Sequence, residues 1–143
     1  KQDIVDRTNA LRKENGIAPL TTSDKLMQAA QVRADEMAAS GAYSHTRPDG
    51  RKYTTVTDCK YVGENIHRIA DWALQGKPVS EVAMWSWNHS AGHQNNLLDK
   101  SYAEIGVGLA RGVNEDGYEC WYCVQLFLWN GYSVSWVDAP AAK

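Results

Sequence analysis

The stretch from Trp85 to Leu109, WSWNHSAGHQNNLLDKSYAEIGVGL, constrains the fold of this chain more than any other. Tryptophans within an amphipathic helical pattern are followed by Ser-Ala-Gly-His, which breaks the helix, and by a short helical segment around Asn-Asn-Leu-Leu. The apolar run Ile-Gly-Val-Gly-Leu-Ala then predicts a strand in which apolar residues alternate with glycines. His93 lies at the hinge between two apolar elements, where a side chain can project into a cleft and still be held rigidly. His93 is therefore a candidate site residue.

Two amphipathic helices are predicted ahead of this stretch. Residues 1–15 carry an apolar stripe that stops at Gly16. Residues 24–40 carry a second stripe, which follows a capping residue, Thr22 or Ser23, and stops at Gly41. The segment between them, Gly-Ile-Ala-Pro-Leu-Thr-Thr-Ser, is expected to be a loop. Both helices are predicted to form walls of the core.

A further helix is expected just before His93. Val82, Trp85 and His89 are spaced for one face of it, whereas Trp87 falls on another side. His89 and His93 are four residues apart, which is the spacing of two metal ligands on one helical face. The intervening Ala-Gly interrupts the helix, and the motif H-E-x-x-H is not present, so this pair is a weak zinc signal.

The C-terminal part of the chain predicts β-structure. Residues 105–111 and 118–129 read as two strands joined by an Asn-Glu-Asp-Gly turn, which should pair as an antiparallel hairpin. The second strand is apolar on both faces, as expected for a sheet that is covered on both sides. Residues 132–137 are expected to add an edge strand. Helices first and a hairpin last predict an α+β fold.

Composition favours one globular domain over several other classes of protein. A chain of 143 residues with 43% hydrophobic residues can bury a single core, which we assign to residues 1–138, with 139–143 as a C-terminal tail. The net charge is only -2 with acids and bases interspersed, which argues against a nucleic-acid surface or a polybasic membrane anchor. No apolar run approaches the roughly 20 residues of a spanning helix.

Two more polar residues are candidates for a site. His45 is displayed by a turn-rich loop, Ser-His-Thr-Arg-Pro-Asp-Gly-Arg, although a loop histidine is more often simply solvated. Glu64 lies between a glycine and an apolar residue, so we expect a partly buried carboxylate, which needs a partner or a proton. His45 and His93 are the partners available to it. His67 and Arg68 are interpreted as surface residues.

Four patterns in order along the chain carry a family resemblance. They are Ser-His-Thr-Arg-Pro-Asp-Gly-Arg, Gly-Glu-Asn-Ile, the pattern S-x-G-H-x-x-N-[IL]-L followed by Glu-Ile-Gly-Val-Gly, and Val-Gln-Leu-Phe. Together they resemble the bacterial branch of the CAP family, the cysteine-rich secretory, antigen 5 and pathogenesis-related 1 proteins with an SCP domain. The resemblance implies a three-layer α-β-α sandwich with helices on both faces of an antiparallel sheet. It also implies a secreted or cell-surface protein.

The resemblance further implies a cavity lined by two histidines and two glutamates that can hold a divalent metal, most readily zinc. His45, Glu64 and His93 match three of these positions. The second glutamate of the relatives, three residues after a tryptophan, is replaced here by Asn or Ser, and Glu81 one turn earlier is the substitute available. Two imidazoles and one carboxylate are a normal ligand set for zinc with an open position. Without metal, the same groups would form a His-Glu-His hydrogen-bond network.

The three cysteines leave two alternatives open. Cys120 and Cys123 lie on one predicted strand about 10 Å apart, beyond the reach of a disulfide, so they should not pair with each other. Either Cys59 pairs with one of them, or all three are buried reduced thiols. The secreted habit of the family favours the disulfide.

Two functions from different classes fit these observations. The first is a monomeric binding module whose His/Glu cleft takes a metal, a small molecule, a lipid, a glycan or a protein partner without turnover. The alternative is a metal-assisted peptidase or esterase with His45 and His93 as ligands and Glu64 as third ligand or base. A serine or cysteine hydrolase has little support, because neither a G-x-S-x-G elbow nor the context of a catalytic cysteine is present.

Overall fold

Five α-helices and four β-strands make up residues 1–139, the part of the chain that the computed structural model describes. In chain order they are α1 (Gln2–Glu14), β1 (Thr21–Thr22), α2 (Asp24–Ser40), β2 (Val62–Ala70), α3 (Asp71–Leu74), α4 (Val79–Asn88), α5 (Ala91–Leu97), β3 (Tyr102–Val113) and β4 (Glu119–Trp129), with a short 3-10 helix at Tyr53–Val56. Nearly all of the predicted tail, from residue 140 onward, lies outside the described residues.

The four strands form one sheet in the order β1-β3-β4-β2. The predicted hairpin is confirmed, because β3 and β4 pair antiparallel over almost their full length. β2 pairs antiparallel with the other side of β4, so the Gly-Glu-Asn-Ile motif lies on an edge strand. β1, inside the segment predicted as a loop, adds two residues parallel to β3. The predicted edge strand at 132–137 is wrong: within it Val137 makes a single bridge, to Thr57.

Helices cover both faces of this sheet, as the α-β-α expectation required. One apolar cluster joins α2 to one face, and the other joins α1, α4 and α5 to the opposite face. β4 contributes to both: Val124 and Leu126 pack under α2, whereas Cys123 and Phe127 pack under the other helices. The alternation of side chains along a strand produces this division.

α2 has the boundaries that the sequence predicted. Ser23 is the N-cap and its hydroxyl accepts a hydrogen bond from the Leu26 amide at 3.2 Å. Gly41 ends the helix with φ of +73°, a left-handed conformation that glycine adopts without a side-chain clash.

α2 lies directly on the backbone of β3 because two positions of that strand carry no side chain. A Cβ atom on Gly106 would approach the Leu26 carbonyl oxygen to 2.2 Å, and one on Gly108 would approach the Ala30 carbonyl oxygen to 2.2 Å. Real Cβ atoms do not come this close to backbone. The glycines in Ile-Gly-Val-Gly-Leu therefore fix how near the helix lies to the sheet.

α4 buries the side that carries Trp87, and the face of Val82, Trp85 and His89 lies outward. Trp87 is 1% exposed and its indole N–H donates to the Ile66 carbonyl at 3.0 Å, whereas Trp85 is 63% exposed. The buried positions of the helix are Ser80, Ala83, Met84 and Trp87. Trp87 is the residue turned inward because its indole satisfies a backbone carbonyl on the free edge of β2.

The predicted disulfide is also corrected, since all three cysteines are free and buried. Cys59 lies three residues before β2 begins opposite Leu128, whereas Cys120 pairs with Ala70 at the far end of that strand, about 26 Å further along. Cys123 lies in the apolar cluster on the opposite face of the sheet. Neither thiol is within bridging distance of Cys59. Burial raises the pKa of the Cys123 thiol to about 12.

Among the helices of residues 1–139, none combines the length and the apolar character that crossing a bilayer requires.

Candidate functional site

Glu64 is the centre of a buried ion pair at the edge of the sheet. Its carboxylate accepts from the Arg33 guanidinium at 2.8 Å (Nε to Oε2) and 3.1 Å (to Oε1), and it contacts His45 Nδ1 at 2.8 Å. The side chains of Arg33 and Glu64 are both 0% exposed, whereas that of His45 is 52% exposed. The buried carboxylate expected at Glu64 is present, and its partner on the solvent side is His45.

Arg33 is the site residue that sequence reasoning missed. It lies on the buried face of α2, and besides Glu64 it donates to the Ser44 carbonyl at 2.6 Å, next to His45. The guanidinium thus orders both the carboxylate and the loop that carries the histidine. One signal was available: Arg33 falls on the apolar stripe of α2, between Ala30 and Ala34, where an unpaired arginine would be costly.

His45 also depends on a well-built loop. The predicted turn at residues 47–50 is confirmed, with the Gly50 amide donating to the Arg47 carbonyl and Gly50 at φ of +92°. The Arg47 guanidinium is almost fully buried and pairs with Glu36 of α2 and with Asp138 at 2.8 Å. These contacts fix the loop to the body of the domain.

His93 lies in the first turn of α5, on the other side of β2 from Glu64. Its Nδ1 is 2.9 Å from the Ser90 hydroxyl, and its backbone carbonyl accepts from the Asn65 amide at 3.1 Å. Burial, with a smaller contribution from the charge of His45, lowers the pKa of His93. Of the two histidines, only His45 directly contacts the Glu64 carboxylate.

A buried amide network holds α5 against the sheet. Asn65 donates to Gln125 at 3.1 Å and accepts from Asn96 at 2.9 Å, and Gln125 donates to Thr8 at 2.9 Å. Asn96 also donates to the Glu64 backbone carbonyl at 3.3 Å. The Asn of Gly-Glu-Asn-Ile and the second Asn of Asn-Asn-Leu-Leu thus position the two halves of the site.

The interpretation of His67 as a surface residue is wrong. It is partly buried on β2, its ring packs edge-on against Trp87 at 6.4 Å between centroids, and its Nε2 is buried without a hydrogen-bond partner. Burial, with a smaller repulsion from His93, lowers the pKa of His67 to about 4. Arg68 is partly buried as well and packs over the ring of Tyr43 at 5.0 Å.

Glu81 lies on α4 beside the exposed Trp85, where it lines a depression together with Ala73 and Lys77 of the preceding segment. It is partly exposed and is not among the buried residues of α4. The structure therefore brings His45 and Glu64 into contact, places His93 on α5, whose backbone is bonded to Asn65 of β2, and places Glu81 elsewhere.

A metal site needs several ligand side chains close together. Across residues 1–139, no group of three or more His, Cys, Asp and Glu side chains is arranged so that it could hold a metal ion. Glu64 fits poorly as a ligand, because Arg33 and His45 already occupy its oxygens. His45 and His93 each use Nδ1 for a contact inside the protein, which leaves Nε2 as the nitrogen that could face a ligand.

Comparison with known proteins gives relatives over most of the chain. The model of the cysteine-rich secretory protein family, CAP, matches residues 5–127. An uncharacterized protein of Bacillus subtilis, YkwD, is 27% identical over 113 residues, 76% of this chain and 41% of its own length. An uncharacterized membrane protein of the same organism, YlbC, is 27% identical over 120 residues, 78% of this chain. The chain spans 32% of YlbC, so it covers less than half of either relative.

Solved structures share the fold. An extracellular SCP-domain protein of Bacillus anthracis superposes with a TM-score of 0.67 at 23% identity, covering 90% of this chain and 40% of that one. An outer surface protein of Borrelia burgdorferi gives a TM-score of 0.63 at 18% identity, covering 90% and 92%. The match to the family model and the shared sandwich agree with the four sequence patterns, and the chain belongs to the CAP family of cysteine-rich secretory proteins.

Proposed function

We propose that this domain acts at the cell surface or outside the cell as a binding module, with a cleft formed by His45 and His93 on the two sides of edge strand β2. Structural relatives described as an extracellular protein and an outer surface protein support that location. The observation that carries the binding assignment is the state of Glu64, whose side chain is 0% exposed and paired with Arg33.

This geometry favours binding over hydrolysis. A general base must come within hydrogen-bond distance of the proton it removes, directly or through one water. The Glu64 carboxylate is enclosed, and its oxygens face a guanidinium and an imidazole. The groups that remain open to a ligand are the half-exposed imidazole of His45 and the partly exposed imidazole of His93.

A divalent metal, if bound here, would be held by Nε2 of His45 and Nε2 of His93. Glu64 would then orient His45 through Nδ1, as carboxylates behind metal-bound histidines commonly do. Zinc prefers four ligands, so two imidazoles leave positions for an electron-rich group of a partner. The lowered pKa of His93 favours the neutral imidazole, which is the form that coordinates.

The test is calorimetric titration of zinc into metal-free protein near neutral pH. We expect binding that is lost in both His45→Ala and His93→Ala, and weakened about 10- to 100-fold in Glu64→Gln, the usual effect of removing a group that orients a ligand. His89→Ala removes an exposed histidine from α4 and is the matched control. Zinc binding that persists in His45→Ala would refute the proposed ligand pair.

Assays of generic peptide and ester substrates with and without zinc test the alternative. The binding module predicts no turnover under either condition. Hydrolysis that requires zinc and disappears in His93→Ala, with the fold intact, would replace the binding module by a metal-assisted hydrolase.

A further inference from the structure

Trp85 is a large apolar side chain that the fold does not use. It is 63% exposed on the outer surface of α4, while Trp87 two residues later fills the core. An indole exposed to this extent loses the hydrophobic stabilisation that its burial would provide. Its surroundings are therefore informative about what contacts it.

The Trp85 ring is held in a fixed position by its neighbour. His89, one turn later, stacks on it with 4.1 Å between ring centroids and 18° between planes. His89 Nδ1 is 2.7 Å from the Trp85 carbonyl oxygen, to which it donates, so the imidazole is itself anchored. One indole face is thus covered and the other is left open. A side chain already restricted in this way loses little conformational entropy on binding a ligand.

Depressions flank the indole on both sides, and Glu81 and Trp85 line each of them. The first has a volume of about 470 Å³ and is also lined by Gln75 and Lys77. The second has a volume of about 310 Å³, and His89 lines it. His89 lines the second depression but is not among the residues that line the first, so the first is the depression that a ligand on the uncovered indole face would occupy. A volume of 470 Å³ is within the range of small-molecule sites.

The chemistry around the open face is mixed. Besides Trp85, the first depression is lined by the apolar residues Ala73, Leu74 and Val82 and by Glu81, Gln75 and Lys77, whose side chains carry a carboxylate, an amide and an ammonium. The two charges are opposite, so the rim has no excess charge that would select an ion. An acyl chain would contact Leu74 and Val82 but would offer no hydrogen bonds to Glu81, Gln75 and Lys77, whereas a ligand with both an apolar face and hydroxyls can use both kinds of lining. A pyranose ring offers an apolar C–H face for the indole and hydroxyls for the rim.

We propose that this depression, named here the Trp85 site, binds a neutral saccharide whose ring stacks on the open face of Trp85 while Glu81, Gln75 and Lys77 bond its hydroxyls. The site lies on the outer surface of α4 and is separate from the cleft of His45 and His93. It does not depend on the proposed function of that cleft.

The test is an NMR titration of ¹⁵N-labelled protein that follows the indole N–H signals, with cellotetraose and the β-1,4-linked N-acetylglucosamine tetramer as probes. Trp85→Phe identifies the Trp85 signal by its loss. We expect a saturable shift of that signal with at least one probe. Trp85→Ala should weaken binding by about tenfold or more, the range expected for losing a stacked ring. His89→Ala should weaken it several-fold, because the indole then becomes free to rotate.

Trp136→Ala is the matched control, since Trp136 is 55% exposed and its amide contacts Asp58 far along the chain from α4. It should leave the affinity for each tetrasaccharide unchanged. The proposal is overturned if neither tetrasaccharide gives a saturable shift, or if Trp85→Ala binds as tightly as the unaltered protein. It is equally overturned if phosphatidylcholine vesicles, and neither sugar, perturb the Trp85 signal.

Discussion

Replacing Arg33 by Met should destabilise the domain severely. The guanidinium is fully buried and contacts the equally buried Glu64 carboxylate at 2.8 and 3.1 Å. Methionine fills a similar volume but leaves the carboxylate without its charged partner. Removing one member of a buried ion pair costs about 3–5 kcal/mol, which is a large part of the 5–15 kcal/mol that stabilises a typical domain.

The measurement is urea unfolding at pH 7 followed by circular dichroism, with Arg33→Met, Glu64→Gln and the double variant forming a cycle. The double variant should be more stable than the sum of the single losses predicts, by about 0.5–3 kcal/mol, because the second change no longer isolates a buried charge. Arg7→Met is the control, since the pair of Arg7 with Asp3 is exposed and should contribute little to stability.

Two results would contradict this argument. One is a loss in Arg33→Met no larger than that in Arg7→Met, which would mean that Glu64 finds another partner or water. The other is strict additivity in the cycle, which would mean that the two side chains contribute independently despite their contact.

Three further predictions follow from the core. The pKa of His67 in the folded protein, about 4, lies below its ordinary value of 6.5, so the unfolded chain binds more protons between pH 6.5 and pH 4. The free energy of unfolding should therefore fall by up to about 3 kcal/mol as the pH drops through this window. His67→Phe should flatten that part of the curve of unfolding free energy against pH. Gly108→Ala should destabilise by several kcal/mol because its methyl group meets the α2 backbone, whereas Gly92→Ala in open space should be neutral or stabilising by up to about 1 kcal/mol in the same urea assay. Unreduced native protein should resist iodoacetamide, and mass spectrometry should find three alkylated cysteines once urea is added; detection of a disulfide would refute the thiol assignment.

The elements whose signals are local were predictable from sequence. α2 begins after Ser23 and ends at Gly41 because a hydroxyl cap and a left-handed glycine act within one turn. The β3–β4 hairpin follows from its turn and its apolar pattern. The features that the sequence did not reveal depend on how the elements pack in the tertiary structure. The choice between Trp85 and Trp87 as the buried indole depends on where β2 presents a free carbonyl, which helical spacing does not reveal.

The same limit applies to the site. His45 and Glu64 were identified from motifs, and the contact between them is present. Arg33 was missed because its role in the site depends on pairing with a carboxylate 31 positions later in the chain. The preferred pairing of Cys59 failed for a related reason: spacing indicates that Cys120 and Cys123 face different sides, but only the register of β2 on β4 shows how far both lie from Cys59.

Gly106 and Gly108 of β3, which allow α2 to lie close to the sheet, also determine the geometry of the charged site. Arg33 extends from α2, and Glu64 from β2, so the length of an arginine side chain must match the separation between helix and sheet. That separation is set by main chain resting on main chain at Gly106 and Gly108. Apolar residues elsewhere in the core can therefore change in size without moving the guanidinium away from its carboxylate, whereas one methyl group added on β3 would shift the whole assembly that orients His45.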